Sequence, residues 1–236
     1  MTNAKLIVRL KKDGLTEIVQ RGIIRQVFVI VDLSKAMSEA DLRPNRASAT
    51  LSLLERFIHD FFDQNPLSHM GIIGTRDSLA FKLAELSGNP AELLRAVQSK
   101  DNREVKGDAS LQNALEMARA GLAHVPQHVS REIVFIYGSL TSCDPGNISE
   151  TVDRLCKDTI RVSIVGLSAE VQICKRLCSA TNGVYSVITS ESHFKDALFD
   201  HIAPHALLLT QQSHSTIIQM GFPPTRIFPD IVLCSW

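Results

Sequence analysis

Four short apolar runs constrain what this chain can fold into. They are QVFVIVD (26–32), MGIIG (70–74), EIVFIY (132–137) and IRVSIVG (160–166). Each is shorter than an ordinary helix and lacks the in–out alternation of a half-solvated strand. Such runs are strands covered on both faces, the pattern of a parallel sheet between helical layers.

The stretches between them carry helical periodicity. Leu51, Leu54, Ile58 and Phe61 form one apolar stripe over 46–62, which Asn65-Pro66 ends. Residues 79–86 follow the turn Arg76-Asp77-Ser78 and predict an edge strand antiparallel to 70–74. Asn89 and Pro90 read as the cap and first residue of a short helix bearing Leu93, Leu94 and Val97. A helix from Ser110 carries Leu111, Leu115, Ala118 and Leu122 and stops at Pro126. Asp144-Pro145-Gly146-Asn147 predicts a turn and cap before a helix with Ile148, Val152 and Leu155. Residues 169–181 form a helix closed by Asn182-Gly183, 184–188 a last strand, and 192–202 a final helix ended by Pro204. The expected class is α/β: a doubly wound, mostly parallel six-stranded sheet with one antiparallel edge strand and helices on both faces. Residues 1–21 read as an N-terminal extension, 22–204 as the domain, and 205–236, with the strand-like Ile217-Ile218, as a tail.

Charge and cysteine usage exclude several classes. Lys and Arg number 25 against 25 Asp and Glu, so the chain lacks the basic excess of a nucleic-acid platform, and direct sequence-specific nucleic-acid binding is not expected. No run of about 20 apolar residues predicts a membrane span, and the N-terminus lacks a signal-peptide pattern. The five cysteines (143, 156, 174, 178 and 234) are odd in number and show no C-x-x-C pair, which fits a reducing compartment. Cys174 and Cys178, four apart, predict small buried side chains on one helix face.

Catalytic motifs are missing. The chain has no G-x-x-x-x-G-K-[ST], no G-x-G-x-x-G and no G-x-S-x-G. His124 and His128 have Pro126 between them, so one helix face does not present both. Lys35 and Asp108, the charged residues that could assist Asp32, read as solvated loop charges. No enzymatic activity and no cofactor are expected.

The loop Asp32-Leu33-Ser34-Lys35-Ala36 is more informative. Asp-x-Ser at the end of a buried first strand, in a doubly wound chain with an early antiparallel edge, resembles the metal loop of a von Willebrand A domain. That family's loop is Asp-x-Ser-x-Ser, joined by a later Thr and an Asp ending the fourth strand. Asp32 and Ser34 match, but Ala36, Ala109 and Gly138 stand at the other three positions. Unless a one-residue shift brings in Asp108 or Ser110, the resemblance implies a degenerate site that holds no metal. A metal-dependent ligand-binding domain is the alternative reading of the same fold.

An ordered series of strings narrows the resemblance. Arg43-Pro44-Asn45-Arg46, Leu83-Ala84-Glu85-Leu86-Ser87-Gly88-Asn89-Pro90, Ser139-Leu140-Thr141-Ser142-Cys143-Asp144-Pro145, Gly166-Leu167-Ser168-Ala169-Glu170-Val171 and Met220-Gly221-Phe222-Pro223 belong to it. Over roughly residues 22–223 the chain resembles the larger von Willebrand A subunit family of TFIIH, the general transcription and nucleotide-excision-repair factor. The resemblance implies a nuclear, non-catalytic domain that binds and stimulates the XPD-type DNA helicase beside other TFIIH core subunits. It also implies a zinc-binding region beyond the tail, absent from this chain. In open α/β sheets partners approach the carboxyl ends of strands where strand order reverses. With the strand order that the resemblance implies, the loop 139–147 lies beside Asp32, which makes Thr141, Ser142, Cys143, Asp144 and Asn147 the candidate partner-binding residues. Asp144 and Asn147 also suit a turn and a cap.

Overall fold

The computed structural model describes residues 8–12, 15–21, 24–99, 103–126, 129–204 and 206–208. The main sheet holds six strands: β3 (Arg25–Asp32), β4 (His69–Arg76), β5 (Leu79–Ser87), β6 (Ser130–Tyr137), β7 (Arg161–Gly166) and β8 (Tyr185–Val187). Their spatial order is β5-β4-β3-β6-β7-β8, with every pair parallel except β4–β5. The helices are α1 (Arg46–Gln64), α2 (Pro90–Gln98), α3 (Leu111–Leu122), α4 (Ile148–Lys157), α5 (Gln172–Ala180) and α6 (Glu191–Phe199). This is the architecture expected from the buried runs.

The pleat divides the core in two. Val27, Val29 and Val31 of β3 face one way, with Val134 and Ile136 of β6, onto α1, α2 and α6. Phe28 and Ile30 face the other, with Ile133, Phe135 and Tyr137, onto α3, α4 and α5. Successive strand residues point to opposite faces, so a strand apolar at every position needs helices on both sides. The stripe on α1 buries Leu54, Phe57, Ile58 and Phe61 completely, each contributing about 1.5–3 kcal/mol.

Caps appear where polar residues precede apolar stripes. Asn45, Asn89, Ser110 and Asn147 each accept a backbone N–H from the first turn of α1, α2, α3 and α4. Helix α5 starts three residues later than the periodicity predicts, at Gln172. It closes as expected: Asn182 takes φ 56° and the Gly183 N–H reaches the Cys178 carbonyl at 2.8 Å.

Two features were not foreseen. Strands β1 (Val8–Lys12) and β2 (Leu15–Arg21) pair antiparallel within the expected extension, and β9 (Ala206–Leu208) joins β2 in a separate three-stranded sheet. The rest of the 205–236 tail, with Ile217-Ile218, lies outside the described residues, as does His128. At the amino ends of the parallel strands, fully buried Arg25 donates to Glu132 and to the His201 and Ile202 carbonyls beyond α6.

Candidate functional site

The crevice lies where β3 and β6 run side by side and the chain leaves them in opposite directions. Asp32 ends β3 there, fully buried. Its Oδ1 accepts the Ser34 N–H at 2.8 Å. Its Oδ2 accepts the N–H groups of Gly138 and Ser139, each at 3.0 Å, and the Ser139 hydroxyl at 2.9 Å. The Ser34 and Ser139 hydroxyls lie 2.6 Å apart. Four donors within the chain therefore converge on this carboxylate, which clamps the β3 loop to the β6 loop.

The three departures from the metal pattern are filled by other groups. A Cβ built on Gly138 would lie 2.3 Å from the sulfur of fully buried Met37, so no carboxylate fits there while Met37 holds its place. Ala109 is fully buried, and its carbonyl accepts the Cys143 N–H at 2.9 Å. Neither shifted candidate replaces it. Asp108 is exposed, and the Ser110 hydroxyl donates to Asp144 at 2.9 Å and caps α3. Beside Ala36 sits the Arg46 guanidinium, its side chain 7 % exposed. Arg46 Nη1 donates to Ser168 Oγ at 2.9 Å and lies 3.4 Å from the carbonyl oxygens of both Ala36 and Gly138. Its Nε and Nη2 hold the Asp41 carboxylate at 2.7–2.9 Å.

This donor set does not fit a divalent ion. Mg²⁺ needs near-octahedral oxygen ligands and gives up its water reluctantly. Here the carboxylate is already satisfied, the Met37 thioether fills the Gly138 position, and the Arg46 cation sits beside that position and beside Ala36. Among the described residues no group of three or more His, Cys, Asp or Glu side chains gathers elsewhere.

The loop 139–147 has a braced frame and an exposed rim. Asp144 Oδ1 accepts the Ser110 hydroxyl and the Gln112 N–H, and its Oδ2 accepts the Ser142 hydroxyl at 2.8 Å. Ser142 Oγ in turn accepts the Leu111 N–H at 2.9 Å. Both residues thus satisfy the open first turn of α3. Asn147 caps α4 through the Ser149 N–H. From below, the Tyr137 hydroxyl donates to the Thr141 carbonyl at 2.9 Å. Burial, then the neighbouring Cys174 thiol and the Asp32 and Asp144 carboxylates, pushes that hydroxyl far above the usual tyrosine range, so it remains a donor. Of the sequence candidates, Ser142, Asp144 and Asn147 brace the frame, whereas Thr141 and Cys143 face solvent with Leu140, which is 59 % exposed.

A separate groove lies between α5 and β8. Its lining includes Lys175, Cys178 and Tyr185. Burial, then the adjacent Cys174, pushes the Cys178 thiol up to about 12.

The sequence points to the loop 139–147 without singling out Ser139 or Leu140, and it gives Arg46 and Met37 no part in the site. One signal was available. Arg46 opens α1, where the helix dipole disfavours a cation, so its position calls for a tertiary partner.

The sheet order, the antiparallel edge and the crevice between β3 and β6 define a von Willebrand A domain. The SpRpn10 VWA domain superposes with a TM-score of 0.64 at 20% identity, covering 74% of this chain and 93% of that one. The TFIIH p34 N-terminal domain gives 0.62 at 14% identity, covering 75% and 98%. Within that class, residues 30–223 match the Ssl1-like family, and the chain belongs to it. It is 41% identical over 217 residues to General transcription factor IIH subunit 2 of Arabidopsis thaliana, covering 92% of this chain and 51% of the relative. It is also 41% identical over 232 residues to General transcription and DNA repair factor IIH subunit ssl1 of Schizosaccharomyces pombe, covering 96% and 54%. The chain spans about half the length of these relatives.

Proposed function

We propose that this chain is a non-catalytic interaction domain of a TFIIH core subunit, acting in the nucleus, that binds an XPD-type DNA helicase and stimulates its unwinding in transcription and nucleotide-excision repair. Membership of the Ssl1-like family supports the TFIIH assignment, as do relatives named for transcription and DNA repair. The observation that carries the contact surface is the exposed Leu140, with Thr141 and Cys143, on a loop whose frame is fixed by Asp32, Tyr137 and Asp144. A pre-ordered loop loses little conformational freedom on binding, and an exposed aliphatic side chain offers area to bury. The domain acts here by contact, since the crevice carries neither a metal donor set nor an activated nucleophile.

The experiment is a pull-down of the XPD-type helicase with this chain, followed by an unwinding assay with and without it. Retention and faster unwinding are expected. Failure of both with correctly folded protein overturns the reading.

A further inference from the structure

We propose that the Arg46 guanidinium is the resident cation of this fold. It joins the loops that a bound divalent ion would join in a metal-dependent relative, and it sets the position of the β6 loop without any ion. The inference does not depend on the helicase contact.

The geometry is that of a hub. Arg46 stands at the start of α1 and reaches three other segments. Through Nη1 it meets the Ala36 carbonyl after β3, the Gly138 carbonyl after β6 and the Ser168 hydroxyl after β7. Ser168 Oγ itself donates to the Gly138 carbonyl at 2.6 Å, which closes the ring. Ala36 and Gly138 are two of the five positions at which the resembling metal loop places ligands. In this chain both lack side-chain oxygen and turn their backbone oxygens toward the guanidinium instead. Asp41 and Glu39 hold the other edge of the fork from the solvent side, at 2.7 Å from Nη2.

The chemistry favours arginine for this task. A guanidinium stays charged at any physiological pH and presents donors in a fixed plane, so one side chain can bridge several acceptors at once. Lysine keeps the charge but loses the fork. A divalent ion entering beside Arg46 would meet a like charge, and Met37 stands where an added carboxylate would lie. The arginine and the ion are therefore alternatives, and this sequence has taken the arginine.

The test is backbone amide exchange on the 236-residue chain, read at Gly138 and Ser139, whose N–H groups donate to Asp32. Arg46→Lys is expected to accelerate exchange at these amides and around Ala36 by about tenfold or more, the loss of at least one charge-assisted hydrogen bond. Exchange in α4 should stay unchanged, and millimolar Mg²⁺ should not slow exchange in either protein. Asp41→Asn should leave Gly138 and Ser139 protected, because the Nη1 contacts persist. The proposal fails if Arg46→Lys leaves those amides as in the parent chain. It fails also if Asp41→Asn loosens them equally, since the ion pair would then be the whole role of Arg46. Slowed exchange on adding Mg²⁺ to the parent chain would assign the role to a bound ion. If Arg46→Ala does not fold, Arg46→Lys and Ser168→Ala still decide, because each removes only part of the hub.

Discussion

Arg25 and Glu132 lie 107 positions apart and form a two-pronged ion pair, Nε to Oε1 at 3.1 Å and Nη2 to Oε2 at 2.6 Å. Their side chains are only 1 % and 6 % exposed. The same guanidinium donates to the carbonyls of His201 and Ile202 and packs over the Phe61 ring. One side chain thereby ties β3 to β6 and holds the segment that follows α6.

Breaking this pair from one side should be severe. Arg25→Met removes the guanidinium that holds a buried carboxylate by two prongs, a loss that typically costs up to about 3–5 kcal/mol and less where a second cation such as Arg161 stays nearby. Adding Glu132→Leu removes that carboxylate, so the double variant should be less destabilised than the sum of the two single changes. It should still unfold earlier than the parent chain, because the two carbonyls after α6 lose their Arg25 donors. Urea unfolding of the three variants checks this. Strict additivity would mean the pair contributes nothing as a pair.

The four described thiols should separate by reactivity. Cys174 and Cys178 are buried on α5, and burial is the largest cause that pushes each up to about 12. At pH 8 that leaves a thiolate fraction of about one in ten thousand. Cys156 is exposed, yet desolvation, then the Asp153 charge, raises its thiol, and its sulfur lies 3.3 Å from the Ala180 carbonyl. Cys143 is exposed on the β6 loop. In a Cys234→Ser background, maleimide should label Cys143 first and Cys156 more slowly, with Cys174 and Cys178 reacting only on unfolding. Mass spectrometry of timed reactions reads the order. Early labelling on α5 would contradict the packing there.

Acid should act through the arginine hub. The hydrogen bond from Arg46, with its charge, holds the Asp41 carboxyl below its ordinary value of 3.8. A depressed folded-state value means that the ionised form is the one stabilised. Its contribution is complete above the unfolded value and is lost as pH falls through the lower folded value. Asp41→Asn should therefore lower the melting temperature at neutral pH, and the gap from the parent chain should shrink below about pH 4. The effect is small, because Asp41 is 46 % exposed and solvent screens the pair. A gap that widens on acidification would have the wrong sign for this arrangement.

The sheet was legible in the sequence because burial on both faces leaves a nearly unbroken apolar run, and each of the four runs became a parallel strand. Caps were legible where a single residue type does the work, as at Asn89 and Asn147. The site was legible only by subtraction. Ala36, Ala109 and Gly138 announce missing oxygens, but no local pattern says that Arg46 and Met37 fill the space, since those contacts span up to 122 positions. Arg25 was silent for the same reason: a charge beginning an apolar strand looks solvated until Glu132 is known to lie beside it. The strands β1 and β2 escaped because mixed Leu, Ile, Val and Lys over residues 1–21 shows no clean period, and β9 because three residues, Ala206–Leu208, are too few to show one. Ser142 and Asp144 read as contact candidates because sequence alone does not reveal that they cap α3, a helix 31 to 34 positions upstream.

The β6 loop should separate binding from folding. Thr141 is exposed, and its backbone is held from below by Tyr137, so a larger side chain there projects into solvent without touching the core. Exposed substitutions of this kind usually shift stability by less than about 0.5 kcal/mol. A partner hot spot commonly costs about 2 kcal/mol or more, roughly thirtyfold in affinity. Thr141→Arg should therefore melt with the parent chain and lose most of its stimulation of the helicase. Val134, seven residues earlier, is 2 % exposed and lies between Val29 and Ser163 in the middle of the sheet. Val134→Asp should abolish stimulation for the opposite reason, by burying a charge with no counter-ion and unfolding the domain. Thermal melting and unwinding stimulation measured on both variants distinguish the two routes. If Thr141→Arg stimulates unwinding like the parent chain, the proposed contact through Leu140, Thr141 and Cys143 fails.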